Sequence, residues 1–203
     1  MIDQHKPAAQ GERKYYSLEV DFDVSNKSSP HQWVNEKQQF RGFFPRPDEP
    51  FRGLHFSEPP RIKFEHRRGR VLRDAGPVTL GIWLISDRLK KLLDRLDPNA
   101  FVFQQVEVDY SEFPTAGPDF WFVYVMRTLD CVDEERSIIR YQDTPDIKAY
   151  AALIDVRMRP ETVGTAHAFR LTYARSKLIV DDVIVAALKA DNIRGFRFEP
   201  IKK

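Results

Sequence analysis

The sequence contains a single cysteine, Cys131, among its 203 residues. One cysteine cannot form a disulfide within the chain or build a zinc site that needs several thiolates. No apolar run approaches the ~18–20 residues that a membrane-spanning helix requires. The polar beginning, MIDQHKPAAQGERK, has no apolar stretch that would serve as a secretory signal. We therefore expect a cytoplasmic protein that does not contact a membrane.

Glycine and histidine are also sparse, and their placement disfavours the common cofactor sites. The nine glycines are scattered singly, so the chain has no glycine-rich loop of the kind that cradles phosphate. The five histidines show no metal-ligand spacing, such as two on one face of a helix. We therefore expect neither a metal nor a cofactor.

Positive and negative residues are nearly equal in number over the whole chain, but they are distributed unevenly along it. The formal net charge is only +2, which argues against a chain devoted to nucleic-acid binding. The stretch at residues 61–73, RIKFEHRRGRVLR, is nevertheless strongly basic, and residues 107–135 are strongly acidic. We expect a nearly neutral protein with an uneven electrostatic field.

The hydrophobic pattern predicts an α+β or mixed α/β fold that is largely β-sheet, with few helices. Tyr16 to Val24 alternate apolar and polar residues, which is typical of a half-buried strand. The segment FWFVYVM is almost wholly apolar and predicts a central strand. IIRYQD and HAFRLTY are predicted to be further strands.

Two segments, residues 82–106 and 177–201, align with each other without a gap. Asp182 then falls on Asp87, and Leu188 falls on Leu93. Each segment has the pattern of a strand, an N-capped helix with an apolar stripe, and a second strand. We predict two similar strand–helix–strand units, each with its two strands parallel in one sheet.

The expected organisation is a flexible tail over residues 1–13 and a single domain over residues 14–203. Its N-terminal lobe, about residues 14–77, contains the proline-rich loops, and its C-terminal lobe, about residues 78–203, contains the internal repeat. Residues 26–60 hold six of the fourteen prolines. This segment is either an ordered loop packed on the body or a recognition loop.

The C-terminal segment LIVDDVIVAALKADNIRGFRFEPI, preceded by HAFRL, resembles the ending of a family of bacterial immunity proteins. That family was first catalogued as a domain of unknown function and later grouped with polymorphic toxin systems. LISDRLKKLLDRLDPNAFVFQQVEV, FWFVYVM and LDCVDEERS fit the same family, so the resemblance covers about residues 78–203. It implies a protein that is not an enzyme and that binds and neutralises a cognate toxin. No catalytic residue is implied.

Three groups of charged residues are candidates for toxin contact. An acidic group could fill the basic cleft of a toxin that acts on nucleic acid, and the basic stretch could meet an acidic toxin. The candidates are the acidic group Asp130, Asp133, Glu134 and Glu135, the strand-face group Glu19, Asp21 and Asp23, and the basic pair Arg67 and Arg68.

Two alternative functions stay open from the residues alone. The carboxylates between Asp130 and Glu135 could hold a divalent metal in a small hydrolase or nuclease. They could equally cap a turn at the exit of a strand. The basic stretch at residues 61–73 could contact phosphates and stack on bases, although its short length makes nucleic-acid binding the weaker expectation.

Overall fold

A computed structural model of the chain describes residues 13–20, 31–39, 56–69, 71, 73–79, 81–143 and 147–202. The expected tail, apart from residue 13, lies outside the described residues. So do most of the proline-rich segment and two strand-face candidates, Asp21 and Asp23.

Strands dominate the described residues, and the helices are short. The strands are β1 (Tyr15–Val20), β2 (His31–Trp33), β3 (Arg61–Phe64), β4 (Ala75–Thr79), β5 (Ile82–Ser86), β6 (Phe101–Gln105), β7 (Glu107–Asp109), β8 (Phe120–Val125), β9 (Thr128–Leu129), β10 (Ile138–Tyr141), β11 (Tyr150–Asp155), β12 (Ala168–Leu171), β13 (Ala174–Asp181) and β14 (Phe196–Pro200). The helices are α1 (Glu36–Gln39), α2 (Asp87–Leu96), α3 (Pro160–Val163) and α4 (Asp182–Ala190), with a 3-10 turn at His66–Arg68.

These strands form four sheets. The largest has the order β14-β1-β13-β12-β9, and a four-stranded sheet has the order β4-β5-β8-β6. A three-stranded sheet, β2-β3-β7, and a two-stranded sheet, β10-β11, complete the set. The prediction of a largely β-sheet α+β fold is confirmed.

Each longer helix connects two strands that are separated by a third strand. β5 and β6, which flank α2, both pair antiparallel with β8, so they are parallel to each other. β13 and β14, which flank α4, both pair antiparallel with β1. The origin of the two segments as an internal repeat stays a prediction, because strand pairing does not test it.

Local chemistry explains where α2 and α4 begin and which side they bury. The side chain of Ser86 accepts a hydrogen bond from the backbone N–H of Leu89, and Asp181 does the same for Ile184. The buried apolar side chains of both helices pack in one hydrophobic core, which also contains Leu18 of β1. The two helices therefore cover strands of both larger sheets.

A buried arginine connects the two larger sheets. Arg170, on β12, is only 4% exposed. Its guanidinium donates to the carbonyl oxygens of Val125 at 3.1 Å, Arg175 at 2.8 Å and Gly81 at 3.1 Å. It also lies 4.6 Å from the ring centre of Tyr124. Val125 and Gly81 belong to the four-stranded sheet and its turn, so these bonds hold the sheets together.

Replacing Arg170 with leucine should reduce the free energy of unfolding by about 2–4 kcal/mol, because three carbonyl groups lose their donor in a buried place. Urea unfolding of the purified protein measures this change. The control is Arg175→Ala, which removes an exposed side chain and keeps the carbonyl group. A loss below about 1 kcal/mol for Arg170→Leu would contradict the assigned role.

Candidate functional site

The acidic group at residues 130–135 lies between the edge strand β9 and the strand β10. Asp130 forms an ion pair with Arg159, with Oδ1 and the guanidinium nitrogen 3.3 Å apart. Oδ1 of Asp133 accepts a hydrogen bond from the backbone N–H of Arg136 at 3.2 Å. Asp133 therefore caps a turn, as the structural interpretation of this group predicts.

Glu134 joins the two strands of the β10–β11 hairpin. Its Oε2 accepts from the hydroxyl of Tyr141 at 2.8 Å, and its Oε1 accepts from the hydroxyl of Tyr150 at 2.7 Å. The ammonium of Lys148 lies 2.5 Å from Oε1. The hydrogen bond with Lys148, followed by that with Tyr150, lowers the pKa of Glu134 to about 2. Both carboxylate oxygens are thus engaged, whereas Glu135 is exposed.

The strand-face group is represented in the described residues by Glu19 alone. Its carboxylate lies 2.7 Å from Arg197 on β14 and 3.2 Å from Lys177 on β13. Hydrogen bonds from Arg197 and then Lys177 lower the pKa of Glu19. β13 and β12 separate β1 from β9, the strand that precedes the other acidic group, so these two strands are roughly 14 Å apart at ordinary strand spacing. The structure does not bring the two acidic groups together.

Several cations of the basic stretch form ion pairs with nearby carboxylates. Arg67 and Arg68 both lie against the buried Glu65, with their Nε atoms 3.0 Å and 2.6 Å from its Oε2. Lys63 forms an ion pair with Glu112 at 2.9 Å. Glu112 lies outside the basic stretch, so its pair with Lys63 reduces the positive charge that the stretch offers to nucleic acid.

Within the described ranges, no three His, Cys, Asp or Glu side chains are grouped so that they could hold a metal ion. The thiol of Cys131 is buried, and burial raises its pKa to about 12. Neither finding supports the metal-dependent hydrolase among these residues. The helices that the structure describes include none with the length and apolar character needed to cross a membrane.

Sequence reasoning missed an exposed apolar surface on the hairpin. The exposed large apolar residues among the described ones are Val34, Met126, Ile138, Tyr141, Ile147, Ile154 and Val183. Four of these seven lie between residues 138 and 154. The adjacent pair Ile138 and Ile139 carried a signal, because neighbouring residues in a strand point to opposite faces. One isoleucine of the pair had to face away from the core.

The described residues form a strand-dominated α+β fold in which many surface charges are held in internal ion pairs and one hairpin exposes apolar side chains. A family model described as "Immunity protein family (Imm11)" matches residues 14–203. Since the match spans nearly the whole chain, this chain belongs to the Imm11 immunity protein family. A comparison with curated proteins finds no match.

The family match confirms the resemblance over about residues 78–203 and extends it to residue 14. The N-terminal part, including the proline-rich segment, therefore falls inside the matched range. Membership of the family indicates an immunity function against a toxin.

The Glu134 contacts predict a pH-dependent contribution to stability. Because the folded-state pKa is depressed from 4.5 to about 2, the contribution is present above pH 4.5 and disappears as the pH falls through 2. Glu134→Gln should therefore lower the free energy of unfolding at pH 7 by about 1 kcal/mol, after allowance for solvent screening. The difference from wild type should shrink between pH 4.5 and 2.

Urea unfolding at several pH values measures this difference. The matched control is Glu135→Gln, which makes the same chemical change at the adjacent exposed position. Equal pH profiles for the two variants would contradict the role assigned to Glu134.

Proposed function

We propose that the chain binds a cognate toxin of a bacterial polymorphic or contact-dependent toxin system and neutralises it by occlusion. The observation that supports this is the family match over residues 14–203. Occlusion here means that the chain covers the toxin's active site or holds the toxin in an inactive shape. The chain acts by protein–protein contact and performs no chemistry of its own.

The acidic group at residues 130–135 is the part of the proposed interface with the clearest division of roles. Glu134 has both oxygens engaged, so it positions the hairpin. Glu135 and Asp130 are exposed, Asp130 within an ion pair with Arg159, and we infer that they meet basic groups of the toxin. Such rim charges mainly raise the association rate and the specificity.

The other candidates contribute less clearly to such an interface. Glu19 is held by two cations, Arg67 and Arg68 share one carboxylate, and Asp21 and Asp23 lie outside the described residues. Tight complexes bury about 1,600 Å² in total and rely on a few apolar or aromatic anchors. A charged group alone does not provide such anchors, so the proposed interface needs apolar surface beside it.

The first test is a pull-down of the tagged protein from a lysate of its native host, with bound polypeptides identified by mass spectrometry. We expect one polypeptide that kills cells when it is expressed alone and does not kill cells that also express this chain. Failure of co-expression to protect, for every polypeptide recovered, would contradict the immunity function.

Charge reversal tests the acidic rim. Glu135→Lys combined with Asp130→Lys should weaken binding of the recovered toxin about tenfold or more, mainly through slower association. Glu107→Lys is the control, because Glu107 is exposed on β7, in another sheet. Surface plasmon resonance measures both rate constants. Equal affinity of the reversed variant and the control would remove the acidic group from the interface.

A further inference from the structure

We infer that β10 is the docking strand of this protein: its outer edge binds an extended segment of the toxin, apolar in the middle and basic at both ends. This inference rests on the proposed function and deepens it, because it names the element that makes the contact and the chemistry of the segment that it accepts.

One edge of β10 is open. β10 pairs with β11, and no other strand of the described residues pairs with it. β11 is held to the body at both ends, since the backbone N–H of Tyr150 donates to the carbonyl oxygen of Tyr173 at 2.7 Å and the backbone N–H of Val156 donates to the carbonyl oxygen of Ile201 at 3.0 Å. β10 is therefore the outer strand, and a row of main-chain groups faces outward for strand addition.

An apolar surface lies beside that edge. Ile139 and Leu153 are opposite each other and pack against a buried core cluster. Ile138 and Ile154 are 58% and 47% exposed, on a hairpin of only two strands. Edge strands are commonly protected by charge or proline, and here Arg140 is the one charged residue within β10. Exposed apolar side chains at an open edge are typical of an interaction site.

Contacts within the hairpin hold its shape before any partner binds. Glu134 receives hydrogen bonds from Tyr141 on β10 and Tyr150 on β11, and Lys148 from the segment between them adds an ion pair. The two tyrosine rings also contact each other edge to face, with centroids 5.7 Å apart. A preorganised edge loses less conformational entropy on binding than a flexible segment does.

Charges at the two ends of β10 favour one kind of binding segment. Glu135 precedes β10 and Asp143 follows it, and both are exposed. The exposed Arg136 and Arg140 lie between these carboxylates. Parallel pairing with a second copy of this chain would bring like charges together at all four positions, and antiparallel pairing that sets Glu135 opposite Asp143 would bring carboxylates together at both ends. A toxin segment with lysine or arginine at both ends meets these carboxylates favourably.

The test compares the double variant Ile138→Lys, Ile154→Lys with Val183→Lys. Val183 is a matched control because it is a β-branched residue, 43% exposed, on α4 rather than on the hairpin. The probe is the toxin polypeptide recovered in the pull-down. We expect the double variant to bind it at least 100-fold more weakly and to lose protection of toxin-expressing cells. The control should stay within threefold of wild type.

The outcomes separate this inference from the proposed function. Wild-type affinity for the double variant would overturn the docking strand and leave the immunity function intact. Absence of binding and of protection by the wild-type chain would overturn both. A dimer of the wild-type chain by light scattering, dissociated by the double variant, would assign the edge to a second copy and overturn the toxin as occupant.

Hydrogen exchange keeps the inference testable if the double variant does not fold. The wild-type chain is measured alone and with the recovered toxin. Slower exchange of the amides at residues 138–141 in the complex is expected, because added strand bonds protect them. Unchanged exchange there, with protection elsewhere, would overturn the docking strand.

Discussion

The fold depends on one constraint: each pair of parallel strands flanking a long helix is completed by a third strand running the opposite way. β8 lies between β5 and β6, and β1 lies between β13 and β14. β1 comes from the beginning of the described chain, and it joins the C-terminal strand β14 to the rest of its sheet, because β14 pairs with no other strand of the described residues. Leu18 is accordingly opposite both Leu178 and Phe198. The family match, which starts at residue 14, includes this strand.

Local elements could be predicted from the sequence, because their signals are local. The cap at Ser86, the leucine stripe of α2 and the apolar segment FWFVYVM each indicate one element, and the structure has them at those places. The order of strands could not be predicted, because pairing joins residues that are far apart in the chain. Nothing near β1 indicates that it pairs with residues 160 or more positions away. The buried position of Arg170 was missed for the same reason.

The candidate site likewise has features that the sequence predicts and features that it does not. The sequence shows that residues 130–135 contain a group of carboxylates, but it does not show which of them are engaged in the fold and which are exposed. Glu134 is engaged by Tyr141, Lys148 and Tyr150, which follow it by 7 to 16 residues and reach it only through the hairpin. Alternation indicates that one of the adjacent residues Ile138 and Ile139 faces away from the core, but it leaves open which of them does. The immunity function itself came from resemblance, because residue chemistry alone does not name a partner.

In the proposed occlusion, this chain protects by occupying the toxin, one molecule for one, and not by turnover. The most direct measurement is a titration of the purified toxin's activity with increasing amounts of the chain, at toxin concentrations well above the dissociation constant. A straight decline that ends at equimolar chain is predicted. Loss of toxin activity at a small fraction of an equivalent would indicate catalysis, and full activity in the presence of excess chain would indicate no occlusion. Either result would contradict the account.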